Sequence, residues 1–153
     1  MSRIEQRLAE LGLELPAVVP PLAAYVPAVE VDGWVYTAGQ LPLRDGQPMA
    51  TGHVGAQVSA EVGAQCARQC ALNALAAIAS VADLDRVTRI VKVTGFVASA
   101  PGFTGQPTVL NGASELLGEV FGDAGRHSRS AVGVAELPLG VPVEVELIAR
   151  LRD

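Results

Sequence analysis

Residues 143–151, Val-Glu-Val-Glu-Leu-Ile-Ala-Arg-Leu, alternate apolar and charged side chains except at Ile148. Side chains of a strand point to opposite faces with a period of two. Val143, Val145, Leu147, Ala149 and Leu151 therefore share one face, and Glu144, Glu146, Ile148 and Arg150 share the other. The first face is wholly apolar and demands a covering layer. The second mixes two glutamates with an isoleucine, which suggests a partly buried surface. Charges on such a surface are costly unless they are paired or used. The plainer reading is a solvent-facing side with a Glu144–Arg150 charge balance. The other is a site.

The rest of the chain supplies the covering layer. Residues 59–82 form the clearest helix, with Val62, Cys66, Cys70, Ala74, Ile78 and Val81 in one apolar stripe and Ser59 able to cap the first turn. A second helix is expected within residues 102–123, packing Leu110, Leu117, Val120 and Phe121 inward and stopping at Gly122. Residues 25–40 read as two strands joined at Asp32-Gly33, a strong hairpin signal. A second Asp-Gly at 45–46 lies in a turn-rich stretch. The β-branched run 85–99 reads as a long strand in which Gly95 marks a bulge. Another strand is expected at about 130–136, headed by Arg129. Residues 3–12 make a short amphipathic helix, and Pro16, Pro20, Pro21 and Pro27 then impose an extended connection. The order is α, β-hairpin, α, β, α, β, β. Two long helices on one face of a mixed sheet leave its other face in want of a partner, which predicts an oligomer.

Half of the 153 residues are hydrophobic, so the chain has a substantial core and makes one domain, residues 22–153, preceded by an N-terminal helix and Pro-rich connection at 1–21. A net charge of −5 argues against a nucleic-acid partner, which needs a basic footprint. Arg126, His127 and Arg129 form at most a local patch. No apolar run approaches the roughly 20 residues of a membrane span, and the acidic, amphipathic N-terminus is wrong for a secretory signal, so a cytoplasmic protein is expected. Cys66 and Cys70 lie one helical turn apart and read as small packing residues. His53 and His127 have no metal-ligand spacing with cysteine. Asn73 reads as an exposed or capping polar group.

Several segments, in order, resemble the RidA/YjgF family of reactive-intermediate deaminases, once labelled L-PSP endoribonucleases. "SRSAVGVAELPLGVPVEVELIA" is similar to its C-terminal signature, "AAYVPAV" to its opening strand and "VYTAGQLPL" to its Ser-Gly-Gln-Ile-Pro motif. "VTRIVKVTGFVAS" resembles its long strand, and "VLNGASELLGEVF" its Val-Asn helix. The resemblance covers about residues 22–151. It implies an α+β, chorismate-mutase-like fold: a mixed sheet backed on one face by two helices, assembled as a homotrimeric barrel with clefts between subunits. It also implies hydrolysis of 2-imino or 2-enamino acids to 2-keto acids and ammonia, with no metal and no cofactor.

Residue by residue, the resemblance gives Arg129 the grip on the substrate carboxylate and Glu146 the positioning of water. Gly39 and Gln40 become the pocket's backbone turn, and Tyr25 and Asn111 its polar walls. Glu144 is left a structural role. The physics suits Arg129, whose planar fork holds a carboxylate bidentately and stays charged at any working pH. The chain departs from the family pattern at Ala38, at Ala131 and at His127-Ser128, where a serine, a cysteine and Pro-Ala are usual. Fewer hydroxyl and thiol contacts make the pocket more apolar. A trimeric binder of small carboxylates or keto acids without turnover is the alternative, and an endoribonuclease a weaker third. An Arg129 pairing with Glu146 or Glu119 that merely holds an interface is a further reading.

Overall fold

The computed structural model describes residues 2–153. Its element order is α1 (Arg3–Glu10), β1 (Ala28–Val31), β2 (Trp34–Thr37), β3 (Leu43–Arg44), β4 (Gln47–Pro48), α2 (Ala60–Ala79), β5 (Val87–Ala98), α3 (Gln106–Phe121), β6 (Ser128–Val134) and β7 (Val143–Leu151). One five-stranded sheet runs β1-β2-β7-β5-β6, antiparallel except for β5 and β6. That parallel pair is joined through α3, as a parallel crossover requires. The result is an α+β fold.

Asp32 and Gly33 both take positive φ, 50° and 80°, which matches the twist of a two-residue hairpin. Asp45-Gly46 repeats the device and closes β3 onto β4, a miniature hairpin in the segment expected to be only turns. β7 occupies the central position, with its five apolar residues buried. α2 and α3 cover that face. Gly112 lets them touch, because a Cβ there would run into the backbone carbonyl of Ala64.

Four expectations need correction. Within the expected α2 stripe, Cys66, Cys70, Ala74 and Ile78 are buried, but Val62 and Val81 at the two ends are exposed. Asn73 is neither exposed nor a cap. It is buried, and its Nδ2 donates to the carbonyls of Leu41 and Leu43, both at 3.0 Å, tying the chain after β2 to the helix. The register shifts of β5 lie between Val87 and Arg89 and between Ile90 and Lys92, not at Gly95. They space the buried Val87, Ile90 and Val93 three residues apart while keeping all three inward. Gly95 is glycine for a different reason: a Cβ there would collide with the Leu110 side chain of α3. Finally, Phe121 is only half-buried.

α1 is tied to the same body. Ser2 and Glu5 form a capping box, and the Asp85 carboxylate accepts from the backbone N–H groups of Arg3 and Ile4, both at 2.9 Å. Those two bonds hold the Asp85 carboxyl below its ordinary range. Ile4 and Leu8 join the main core. Burial pushes the Cys66 thiol up to about 11 and Cys70 well above its ordinary value, so both stay protonated and pack as apolar groups. Among the described residues no helix is long and apolar enough to cross a membrane, and no His, Cys, Asp and Glu residues cluster as metal ligands.

Candidate active site

The end of β2 leaves the sheet ladder at Ala38-Gly39. The N–H of Leu147 on β7 donates to the Thr37 hydroxyl at 3.1 Å, and the chain rejoins at Gln40, which exchanges two backbone hydrogen bonds with Val145 at 2.7 and 3.0 Å. The two intervening residues bulge outward and bring Gly39 against Glu144. A Cβ on Gly39 would stand 2.5 Å from Glu144 Oε2, so any larger residue there would push the carboxylate out of its present place. Tyr25, Gly39, Gln40 and Glu144 thereby line one hollow, roofed by Pro20, Pro21 and Leu22. It has about 50 Å³ of room. That suits a few waters, well short of the several hundred Å³ of a closed small-molecule site. Glu144 is half-buried, and desolvation together with the nearby Glu146 charge raises its carboxyl above the ordinary carboxylate value.

Glu146 lies two residues along the same face, in a separate hollow with Tyr36, Thr37, Lys92 and Thr94. Alternation places both glutamates on one side and cannot choose between them. The Gly39 turn tells them apart: the atoms nearest a Cβ on Gly39 all belong to the Glu144 side chain and none to Glu146.

Arg129 and Asn111 are together, but elsewhere. Arg129 pairs in register with Val93 of β5, which in turn pairs with Leu147, so it points to the helix-covered face. There its Nη1 donates to Asn111 Oδ1 at 2.9 Å and to Ser114 Oγ at 3.1 Å, and its Nη2 to the Pro107 carbonyl at 3.2 Å. A guanidinium has five N–H donors. Three are spent on holding the group still, which leaves Nε–H and one Nη2–H free to grip a carboxylate. Arg129 pairs with neither Glu146 nor Glu119; the Glu119 carboxylate meets Arg68 at 3.0 Å. Arg150 stacks over Trp34, 5.3 Å from the ring centroid, and donates to the Gly33 and Leu151 carbonyls, so no Glu144–Arg150 balance forms.

Within one chain the two halves do not meet. Glu144 sits opposite Phe96, three positions along β5 from the partner of Arg129, and on the other face of the sheet. Two strand spacings and three residue rises separate them by about 10 Å in each direction. His53 and His127 are likewise apart. The His53 Nε2 is 2.8 Å from the Ala135 carbonyl, whereas His127 bonds Gly125 and Ser114.

A mixed sheet with two long helices on one face, a glycine bulge against a half-buried carboxylate and a braced arginine on the edge strand define an α+β domain of the chorismate-mutase-like class. The chain belongs to the YjgF/chorismate mutase-like family: the model described as "YjgF/chorismate mutase-like, putative endoribonuclease" matches residues 5–151. It is 44% identical over 154 residues to Protein TCP17 of Trypanosoma cruzi, covering 99% of this chain and 96% of that protein. It is 35% identical over 134 residues to the 2-iminobutanoate/2-iminopropanoate deaminase of Escherichia coli K12, covering 88% and 90%. The crystal structure of Atu1372, a protein with unknown function from Agrobacterium tumefaciens, superposes with a TM-score of 0.90 at 42% identity, covering 98% of this chain and 93% of the other.

Proposed function

We propose that this protein hydrolyses 2-imino or 2-enamino acids to 2-keto acids and ammonia, in clefts formed between the subunits of a homotrimer. The observation that carries the reading is the braced Arg129 fork, with two donors left over for an acid group. A deaminase relative at 35% identity supports the chemistry. The exposed sheet face, with Val29, Val31, Trp34, Tyr36 and Val132, supplies a surface for a second copy.

In this reading Glu144, not Glu146, handles the water. The ligand carboxylate binds the free edge of Arg129 of one subunit, which sets the imine carbon beside Glu144 and Gly39 of the next. Glu144 takes a proton from water as its oxygen bonds to the imine carbon, giving a carbinolamine. It returns that proton to the amine nitrogen. With the substrate entering as its protonated iminium, the C–N bond then breaks as the hydroxyl proton passes to Glu144; ammonia and the keto acid leave, and Glu144 releases its proton to solvent. A carboxyl raised toward working pH is suited to both directions of transfer. Orientation by Arg129, Asn111 and Tyr25 supplies the rest.

The test is the hydrolysis of 2-iminobutanoate generated in place by an amino-acid oxidase. The protein is expected to accelerate ammonia release, and Arg129→Ala to lower kcat/KM by about a hundredfold. No acceleration over buffer across several amino-acid-derived imines rules the reading out. Stabilisation by 2-oxobutanoate without turnover would instead identify a carboxylate binder.

A further inference from the structure

The Arg129 groove holds more positive charge than one acid group needs. It is a shallow, open hollow lined by Asn111, Ser114, Arg126, His127 and Arg129, with no carboxylate among its lining residues. His127 is fixed rather than free. Its Nδ1 lies 2.7 Å from the Gly125 carbonyl, which only accepts, so in the neutral ring that nitrogen carries the proton. Nε2 then accepts from the Ser114 hydroxyl at 2.9 Å, and the Ser114 oxygen accepts from Arg129 Nη1 at 3.1 Å. Both ring nitrogens are occupied, Nδ1 by Gly125 and Nε2 by the Ser114 that braces Arg129, so His127 is a positioning residue. Arg126 is different. Its carbonyl accepts from Arg89 at 2.9 Å, but its exposed guanidinium has no hydrogen-bond acceptor among the described residues. Two like charges facing one groove repel unless an anion lies between them.

We propose that this groove selects ligands with a second acid group: 2-imino or 2-keto dicarboxylates, with the 2-carboxylate on Arg129 and the side-chain carboxylate on Arg126. The inference rests on the functional reading above and adds the substrate class. The departure at His127 belongs to it, since the imidazole lines the same hollow between the two arginines in sequence and supports Arg129 through Ser114.

Calorimetric titration of the intact protein with 2-oxobutanoate and with 2-oxoglutarate tests it. The dicarboxylate is expected to bind about tenfold more tightly, a ratio that Arg126→Gln brings close to one. His127→Phe is expected to weaken both ligands together, and His127→Gln, which keeps an acceptor for Ser114, to restore much of that loss. Equal affinities in the unaltered protein, or a preference that survives Arg126→Gln, overturn this inference while leaving the deaminase reading intact. Failure of both keto acids to bind overturns the two together.

Discussion

Glu144 is held against Gly39 at a cost to the folded chain. Burial and the charge of Glu146 raise its carboxyl, so the folded state keeps the proton more tightly than the unfolded one. As pH climbs from the ordinary value of 4.5, the unfolded chain releases its proton first and stability falls. The loss is complete once pH exceeds the folded value. Glu144→Gln is therefore expected to raise Tm modestly at about pH 7 and to leave it unchanged below about pH 4, while abolishing imine hydrolysis. Thermal melts at the two pH values, paired with the activity assay, check both halves. A variant that loses activity without gaining stability at neutral pH removes the strained carboxylate from the account. At this scale the sequence was legible in part. Alternation in 143–151 assigns every side chain its face, yet it treats Glu144 and Glu146 alike, because what tells them apart is the contact with Gly39, more than a hundred residues away. Asn73 is the same case: Gln69 donates to it from one turn earlier in the helix, but its own amide reaches the Leu41 and Leu43 carbonyls, 32 and 30 residues away in sequence.

The elements were easier to read than their contacts. Periodicity marked α2, α3, β5 and β7, and Asp32-Gly33 marked the first hairpin, since each signal lies within the segment it describes. The close approach of α2 to α3 is a property of neither helix alone. It depends on Gly112, and it can be tested there. Gly112→Ala gains up to about 1 kcal/mol in helix propensity. Against that, the new methyl group meets the Ala64 carbonyl, which is backbone and cannot rotate away. Overpacking of this kind costs about 1–3 kcal/mol, so a net loss is expected, seen as a fall of several degrees in Tm. An increase in Tm would show that the helices separate without penalty. Such a separation would also shift Asn111 and Ser114, which brace Arg129 from α3, so kcat/KM should fall with stability.

In the whole molecule, Arg129 and Glu144 lie on opposite faces of one sheet, two strands and three register positions apart. If the chemistry needs both, it needs two copies of the chain, and the exposed apolar face offers the contact. Light scattering is then expected to give three times the 15.8 kDa chain mass. A stricter consequence concerns mixed assemblies. Arg129→Ala and Glu144→Gln each spoil a different half of a shared cleft. Unfolded together in equal amounts and refolded, they should form trimers in which roughly a quarter of the clefts join an intact Arg129 from one chain to an intact Glu144 from its neighbour. Activity near that fraction of the unaltered protein's is expected, whereas each variant refolded alone should show almost none. A site contained within a single chain gives no recovery on mixing. A site that needs only one of the two residues leaves one variant active by itself. The three outcomes differ qualitatively, so the mixing experiment decides between a shared cleft and an isolated one without any knowledge of the natural substrate.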